Sequence, residues 1–217
     1  MQGAKKMKKI TSIIAALFLA SAAVFPREAK ISVGAGENWK GKRTPQFAIW
    51  LEDSEGNYLK TLYVTGKASK ISWIFAPDEG RPESLPVWYY ASKRETTKSG
   101  KKSKGTSKSE FDAVTSATPK GGIIFTAEIP EQACIIKAEF NGSYDYNDFY
   151  TKKNSGVNGQ PSVIYGAGIS ENQKEEVKLS FKGSGSLDGS DGEIHTETEG
   201  LTTAKSIVKI TTVTFPK

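Results

Sequence analysis

The chain has 217 residues, with 30 Lys and Arg against 24 Asp and Glu, one His and one Cys. A lone Cys excludes an internal disulfide, and a lone His excludes metal sites built on several histidines. The net charge of +6 is not evenly spread, and part of it sits at the N-terminus.

Lys5, Lys6, Lys8 and Lys9 form a cationic head, 10–20 is a short apolar run, and Ala20-Ser21-Ala22 has the small-residue pattern of a cleavage site. This is the pattern of a secretory signal peptide, predicted over 1–22. The apolar run is short for a transmembrane span of about 20 residues. No Cys follows it to accept a lipid. A periplasmic or otherwise extracytosolic location is expected. Removal of 1–22 leaves 26 basic against 24 acidic residues, a net charge of about +2. The basic balance is therefore in part an export signal and no footprint of nucleic acid binding. Residues 23–217 suffice for one domain with its own core.

The remainder reads as all-β. Gln46–Glu52 is a strand rich in Phe, Ile, Trp and Leu, and Tyr58–Thr65 is a second, with Tyr58, Lys60, Leu62 and Val64 on one side. The turn residues Asp53, Ser54, Glu55, Gly56 and Asn57 join them into a hairpin, with Gly56 at a position that needs a positive φ. A helix is expected over 85–94. Further strands are expected over 122–129, 132–141, 162–166, 177–182 and 206–215, and a helical turn near 201–205. In 132–141, alternation sets Cys134, Ile136, Ala138 and Phe140 on a buried face and Lys137 and Glu139 on the other. Many short strands with turn punctuation predict a β-sandwich.

Two stretches read as loops of low order. Residues 93–109 are rich in Lys, Ser, Thr and Gly; Lys93, Arg94, Lys98, Lys101, Lys102, Lys104 and Lys108 stand against one acid, Glu95. Such a stretch buries too little surface to offset its ordering entropy. It reads as a solvated loop, or as a surface for an acidic partner, a lipid surface or the pyrophosphate of FAD. Residues 183–192 are a Gly/Ser/Asp run of the same kind with acidic charge.

The segment with the most chemical content is Asp112-Ala113-Val114-Thr115-Ser116-Ala117-Thr118-Pro119. It resembles the acceptor motif of proteins that carry FMN covalently, Asp-x-x-Ser/Thr-Gly/Ser-Ala-Thr. The resemblance implies that Thr118 is esterified to the FMN phosphate by a separate FAD:protein FMN transferase. Small Ser116 and Ala117 let the segment enter another enzyme's cleft, and Asp112 and Thr115 can hydrogen-bond local backbone. Pro119 fixes φ just beyond the acceptor. Ser116 stands where Gly is more usual. Read without the resemblance, Ala117 to Gly122 is a turn leading into the strand 122–129.

The chain as a whole is similar to a bacterial family of predicted periplasmic proteins, sometimes labelled flagellar hook-capping-like. The similarity rests on the 47–62 hairpin, on 85–89, 112–119 and 144–148, on 159–165 and on 201–204. It implies an immunoglobulin-like sandwich and the company of flavin transferases and PepSY-type membrane redox proteins. Two functions follow as expectations: an exported electron carrier with FMN on Thr118, or a non-enzymatic binding or structural module of the hook-capping type without cofactor. A stand-alone enzyme is the less expected outcome.

Other constellations say less. His195 lies in a polar run and reads as solvated. Segments 188–192 and 145–148 resemble pieces of calcium loops but lack their spacing and closing Glu. The aromatics Tyr144, Tyr146, Phe149 and Tyr150, or Trp88, Tyr89 and Tyr90, are candidates to stack on a flavin ring or to be core and strand-face residues.

Overall fold

A computed structural model describes residues 26–39, 44–66, 68, 81–98, 114–116 and 119–216, the side chains of 93–98 and 114–116 excepted. The expected signal peptide lies outside the described residues. Strand β1 (Arg27–Ala35) is followed by β2 (Gln46–Glu52), β3 (Tyr58–Thr65), helix α1 (Pro86–Lys98) and β4 (Val114–Ser116). Then come β5 (Ile123–Ile129), β6 (Ile135–Asn141), the short helix α2 (Lys152–Ser155) and β7 (Val163–Gly168). The chain ends with β8 (Val177–Lys178), β9 (Ser180–Ser184), a 3-10 turn (Thr203–Ser206) and β10 (Val208–Thr214). A four-stranded sheet ordered β5-β1-β10-β8 packs on a six-stranded sheet ordered β4-β3-β2-β6-β7-β9. The fold is an all-β sandwich. Among the named strands all pairings are antiparallel except β3 with β4.

Between the sheets, Ile31, Val33 and Val213 meet Phe47, Ile49, Leu51, Ile136, Ala138 and Phe140. Phe47 stacks on Tyr63 at 4.9 Å and on Phe140 at 5.3 Å, and Tyr63 reaches Phe125 of the opposite sheet at 5.4 Å. The six-stranded sheet is also covered on its outer face. There Ala48, Trp50, Val64 and Ile164 pack against Leu85, Val87 and Trp88 at the start of α1. Every residue of β2 is therefore buried, which is why its sequence is a continuous apolar run and not an alternating one.

The hairpin β2–β3 has the expected ends. Gly56 has φ +80, and the Asp53 carboxylate accepts the Glu55 and Asn57 amides at 2.9 Å each. The expected single face of Tyr58, Lys60, Leu62 and Val64 does not form. The register shifts between Ile49 and Trp50. This bulge puts Leu62 in the core between the sheets and Val64 under the helix.

Three further expectations are corrected. Cys134 is only half-buried and precedes β6, because a tight turn closed by the Ala133 amide on the Pro130 carbonyl breaks the alternation there. Its Sγ lies 3.5 Å from the Gln132 carbonyl. Glu139 is fully buried, since α1 covers the face that alternation assigned to solvent. The run 183–192 is built into the fold. Gly185, Gly189 and Gly192 stand where a Cβ would come within 2.6 Å of Pro86, 2.6 Å of Glu83 and 2.4 Å of Tyr90. The helix also extends to Lys98, into the stretch expected as a basic loop; 99–109 lies outside the described residues.

Candidate functional site

Of the acceptor motif, Asp112, Ala117 and Thr118 lie outside the described residues. The backbones of Thr115 and Ser116 belong to β4, opposite Val64 and Thr65 of β3. β4 is the terminal strand of the six-stranded sheet, and β5, which the chain enters next, is the terminal strand of the other. The described part of the motif, 114–116, thus lies on a terminal strand of one sheet, and the described chain resumes at Pro119 ahead of the terminal strand of the other. Two described contacts fix the chain between Pro119 and β5. The Trp39 indole N–H donates to the Pro119 carbonyl at 3.1 Å, and Trp39 is itself buried against Phe47 at 5.6 Å. Gly122 lies so close to β1 that a Cβ would stand 2.2 Å from the Val33 carbonyl. Lys120 is exposed.

The residue before Trp39 belongs to a second constellation. Asn38 Nδ2 donates to Asp145 at 3.0 Å. Asp145 also accepts Gln160 Nε2 at 2.9 Å and the Thr203 hydroxyl at 2.8 Å, while Gln160 Oε1 accepts the Thr202 amide at 2.7 Å. Segments 144–148, 159–165 and 201–204, distant in sequence, are thereby knotted together. Gly159, at φ +73, is required: a Cβ there would lie 2.6 Å from the Asp145 backbone. Tyr144, at φ 62, is the one non-glycine among the described residues in the left-handed region. Three side-chain donors occupy Asp145, so this carboxylate is a structural hub and not a free ligand or base. Asp188 and Asp191 likewise accept the amides of Ser190 and Glu193. Among the described residues no group of three or more metal-ligating side chains occurs. His195 is exposed, with Asp191 Oδ1 3.1 Å from its Nε2.

The two aromatic groups part company. Trp88 is buried and its indole N–H donates to Thr61 Oγ1 at 2.8 Å; Tyr90 donates its hydroxyl to the Gly189 carbonyl at 3.1 Å. Those residues hold α1 to its surroundings. Tyr144 and Phe149, by contrast, are 48% and 58% exposed. Tyr146 is steadied by a 2.7 Å bond from its hydroxyl to the Gly156 carbonyl. Phe149 and Tyr150 edge an open cleft of about 680 Å³ shared with segment 196–199.

Sequence reasoning missed Glu139. It lies on β6 beneath the first turn of α1, a helix with no acidic residue of its own there. Its carboxylate accepts the Trp88 amide at 2.8 Å, the Val87 amide at 3.3 Å and the Ser162 hydroxyl at 2.6 Å. A residue from another strand thus caps the helix and opposes the positive end of its dipole. Loss of hydration on burial outweighs these three bonds and pushes the carboxyl up to about 7. The signal available in the sequence was Pro86 at a helix start that lacks a local cap. At the C-terminal end of β2, Glu52 is held by the Trp50 indole at 2.8 Å and by Lys137 Nζ at 2.8 Å.

No described helix is long and apolar enough to cross a membrane. Comparison of the chain with protein-family models, with curated proteins and with solved structures finds no match in any of the three.

Proposed function

We propose that this chain is an exported flavin carrier in which FMN is joined through a phosphoester to Thr118 by a separate FAD:protein FMN transferase. The observation that carries the reading is the motif 112–118, taken with the place of its described part on a terminal strand at the sandwich rim. A transferase must bring its own cleft to the acceptor, and a sheet edge followed by small residues suits that approach. The residues at hand fit the group. Thr118 offers the hydroxyl, and Lys120, exposed and two residues further along the chain, offers a cation.

In the transfer, Thr118 Oγ forms a new bond to the FMN phosphorus and the pyrophosphate P–O bond of FAD breaks. AMP leaves with the electron pair, and the hydroxyl proton passes to a base of the transferase. Positioning and charge neutralisation supply most of the catalysis in such a step. Once bound, the flavin would supply the redox chemistry, and the protein its tether and surroundings. A PepSY-type membrane redox protein is the proposed electron partner.

The test is co-expression of the full chain with an FMN transferase, followed by intact-mass measurement. A mass increase of one FMN unit is expected, and its loss in Thr118→Ala. An unmodified parent chain would leave the alternative, a cofactor-free binding or structural module of the hook-capping type.

A further inference from the structure

The cleft edged by Phe149 and Tyr150 lies outside the proposed acceptor segment. Its aromatic side is fixed before any ligand arrives. Asn147 Oδ1 accepts the Phe149 and Tyr150 amides at 3.0 and 2.6 Å, and its Nδ2 donates to the Gly200 carbonyl at 2.7 Å. Asn154 Nδ2 donates to the Phe149 carbonyl at 2.9 Å. The Phe149 ring lies on Gly200, where a Cβ would come within 2.6 Å of it. The Phe149 and Tyr150 rings stand 4.9 Å apart at 65°. A large apolar side chain 58% exposed yet immobilised in this way is a preformed contact surface.

The cleft is also lined by Glu197 and Glu199, both exposed, and the Tyr150 hydroxyl reaches the Glu199 carbonyl at 3.5 Å. Among the described residues neither carboxylate has a hydrogen-bond or ion-pair partner. A neutral apolar ligand would leave these charges beside it uncompensated. An anionic one would be repelled. A cation suits both kinds of lining group, the aromatic rings and the carboxylates.

We infer that this cleft docks a basic peptide segment of a partner protein, with an Arg or Lys side chain between the Phe149–Tyr150 rings and the carboxylates of Glu197 and Glu199. Arginine suits it better than lysine, because a planar guanidinium stacks on a ring while its edge donates to a carboxylate. The chain carries a net positive charge, +6 over its full length and about +2 without residues 1–22. General electrostatics therefore oppose capture of a cationic peptide, and binding of one reports a local site.

The test is titration of the chain with a tetra-arginine peptide, followed by amide and aromatic NMR shifts at low and at high salt. The expected result is saturable shifts at Phe149, Tyr150, Glu197 and Glu199, weakened by salt. Affinity should fall at least tenfold in the Glu197→Gln, Glu199→Gln double variant. Those exposed substitutions leave the fold intact, which the unchanged spectrum elsewhere verifies. Phe149→Ala should lose affinity as well, and tetra-glutamate should give no shifts. Absence of binding, shifts elsewhere, or a double variant that binds like the parent would overturn the inference. Low-salt self-association that the double variant abolishes would assign the cleft to a second copy, through its own 93–108 stretch, and overturn the foreign partner.

Discussion

The two faces of the six-stranded sheet are both dry, but they are dry in different ways. The inner face meets the opposite sheet with Phe47, Ile49, Leu51, Ile136, Ala138 and Phe140, all apolar. The outer face meets α1 with Trp50 and Ile164, but also with Glu139 and Thr61, which are polar and nearly inaccessible. Non-directional burial holds the first face, and any set of side chains of the right volume would serve it. Hydrogen bonds of fixed direction hold the second, together with glycines that admit a close neighbour. It specifies where α1 lies, at the risk of stranding a charge if a partner is removed.

The comparison can be broken most directly at the inner face. Phe47→Ala opens a cavity at the centre of the aromatic stack, and a loss of about 3–5 kcal/mol is expected from denaturant unfolding. A loss under about 1 kcal/mol would mean that the inner face collapses around the gap. The outer face is sharpened by pH. The folded Glu139 carboxyl, at about 7, holds a proton that the unfolded chain releases near the ordinary value of 4.5. This group's contribution is therefore complete below that lower value, declines as pH rises, and is lost above about 7. The span corresponds to roughly 3 kcal/mol. Unfolding curves across that range should show the decline, and Glu139→Gln should flatten it. A parent profile without slope would mean that the cap stays ionised.

Close approach is tested next. Gly192→Ala sets a methyl 2.4 Å from Tyr90 Cβ, and a cost of about 1–3 kcal/mol is expected, with α1 displaced. The smallest effect belongs to the hairpin tip. Gly56→Ala forces φ +80 on a residue with a Cβ, for about 1 kcal/mol and no change to α1. Thermal melts of the two alanine variants rank them directly.

Legibility followed the same divide. β2 and β3 were readable to the residue because a continuous apolar run, an Asx turn and Gly56 all act locally. The bulge at Leu62 was not, since nothing local demands it. β1 was missed although Ala29, Ile31 and Val33 alternate; their charged neighbours next to the export segment obscured it. Glu139 was assigned to solvent because alternation knows which face a side chain takes but not whether a helix arrives to cover it. The run 183–192 was misread for a related reason. Glycine denotes freedom in an isolated chain and contact distance in a packed one. At the site, 114–116 form a strand that no local signal announced, and Asp112, Ala117 and Thr118 lie outside the described residues. The union of Asn38, Asp145, Gln160 and Thr203 depends on chain closure over more than a hundred residues, beyond any local signal.

Helix α1 brings no cap of its own, and its first turn borrows one from β6 while Tyr90 is latched by the loop beyond β9. Elements so separated in sequence must associate before the helix gains either support. The order of assembly is then sheet first and helix last, and the order of local opening is the reverse. Amide exchange in the native state should find Trp88, Tyr89 and Tyr90 released together, ahead of β2 and β6, so that α1 behaves as a separable unit docked on an already stable scaffold.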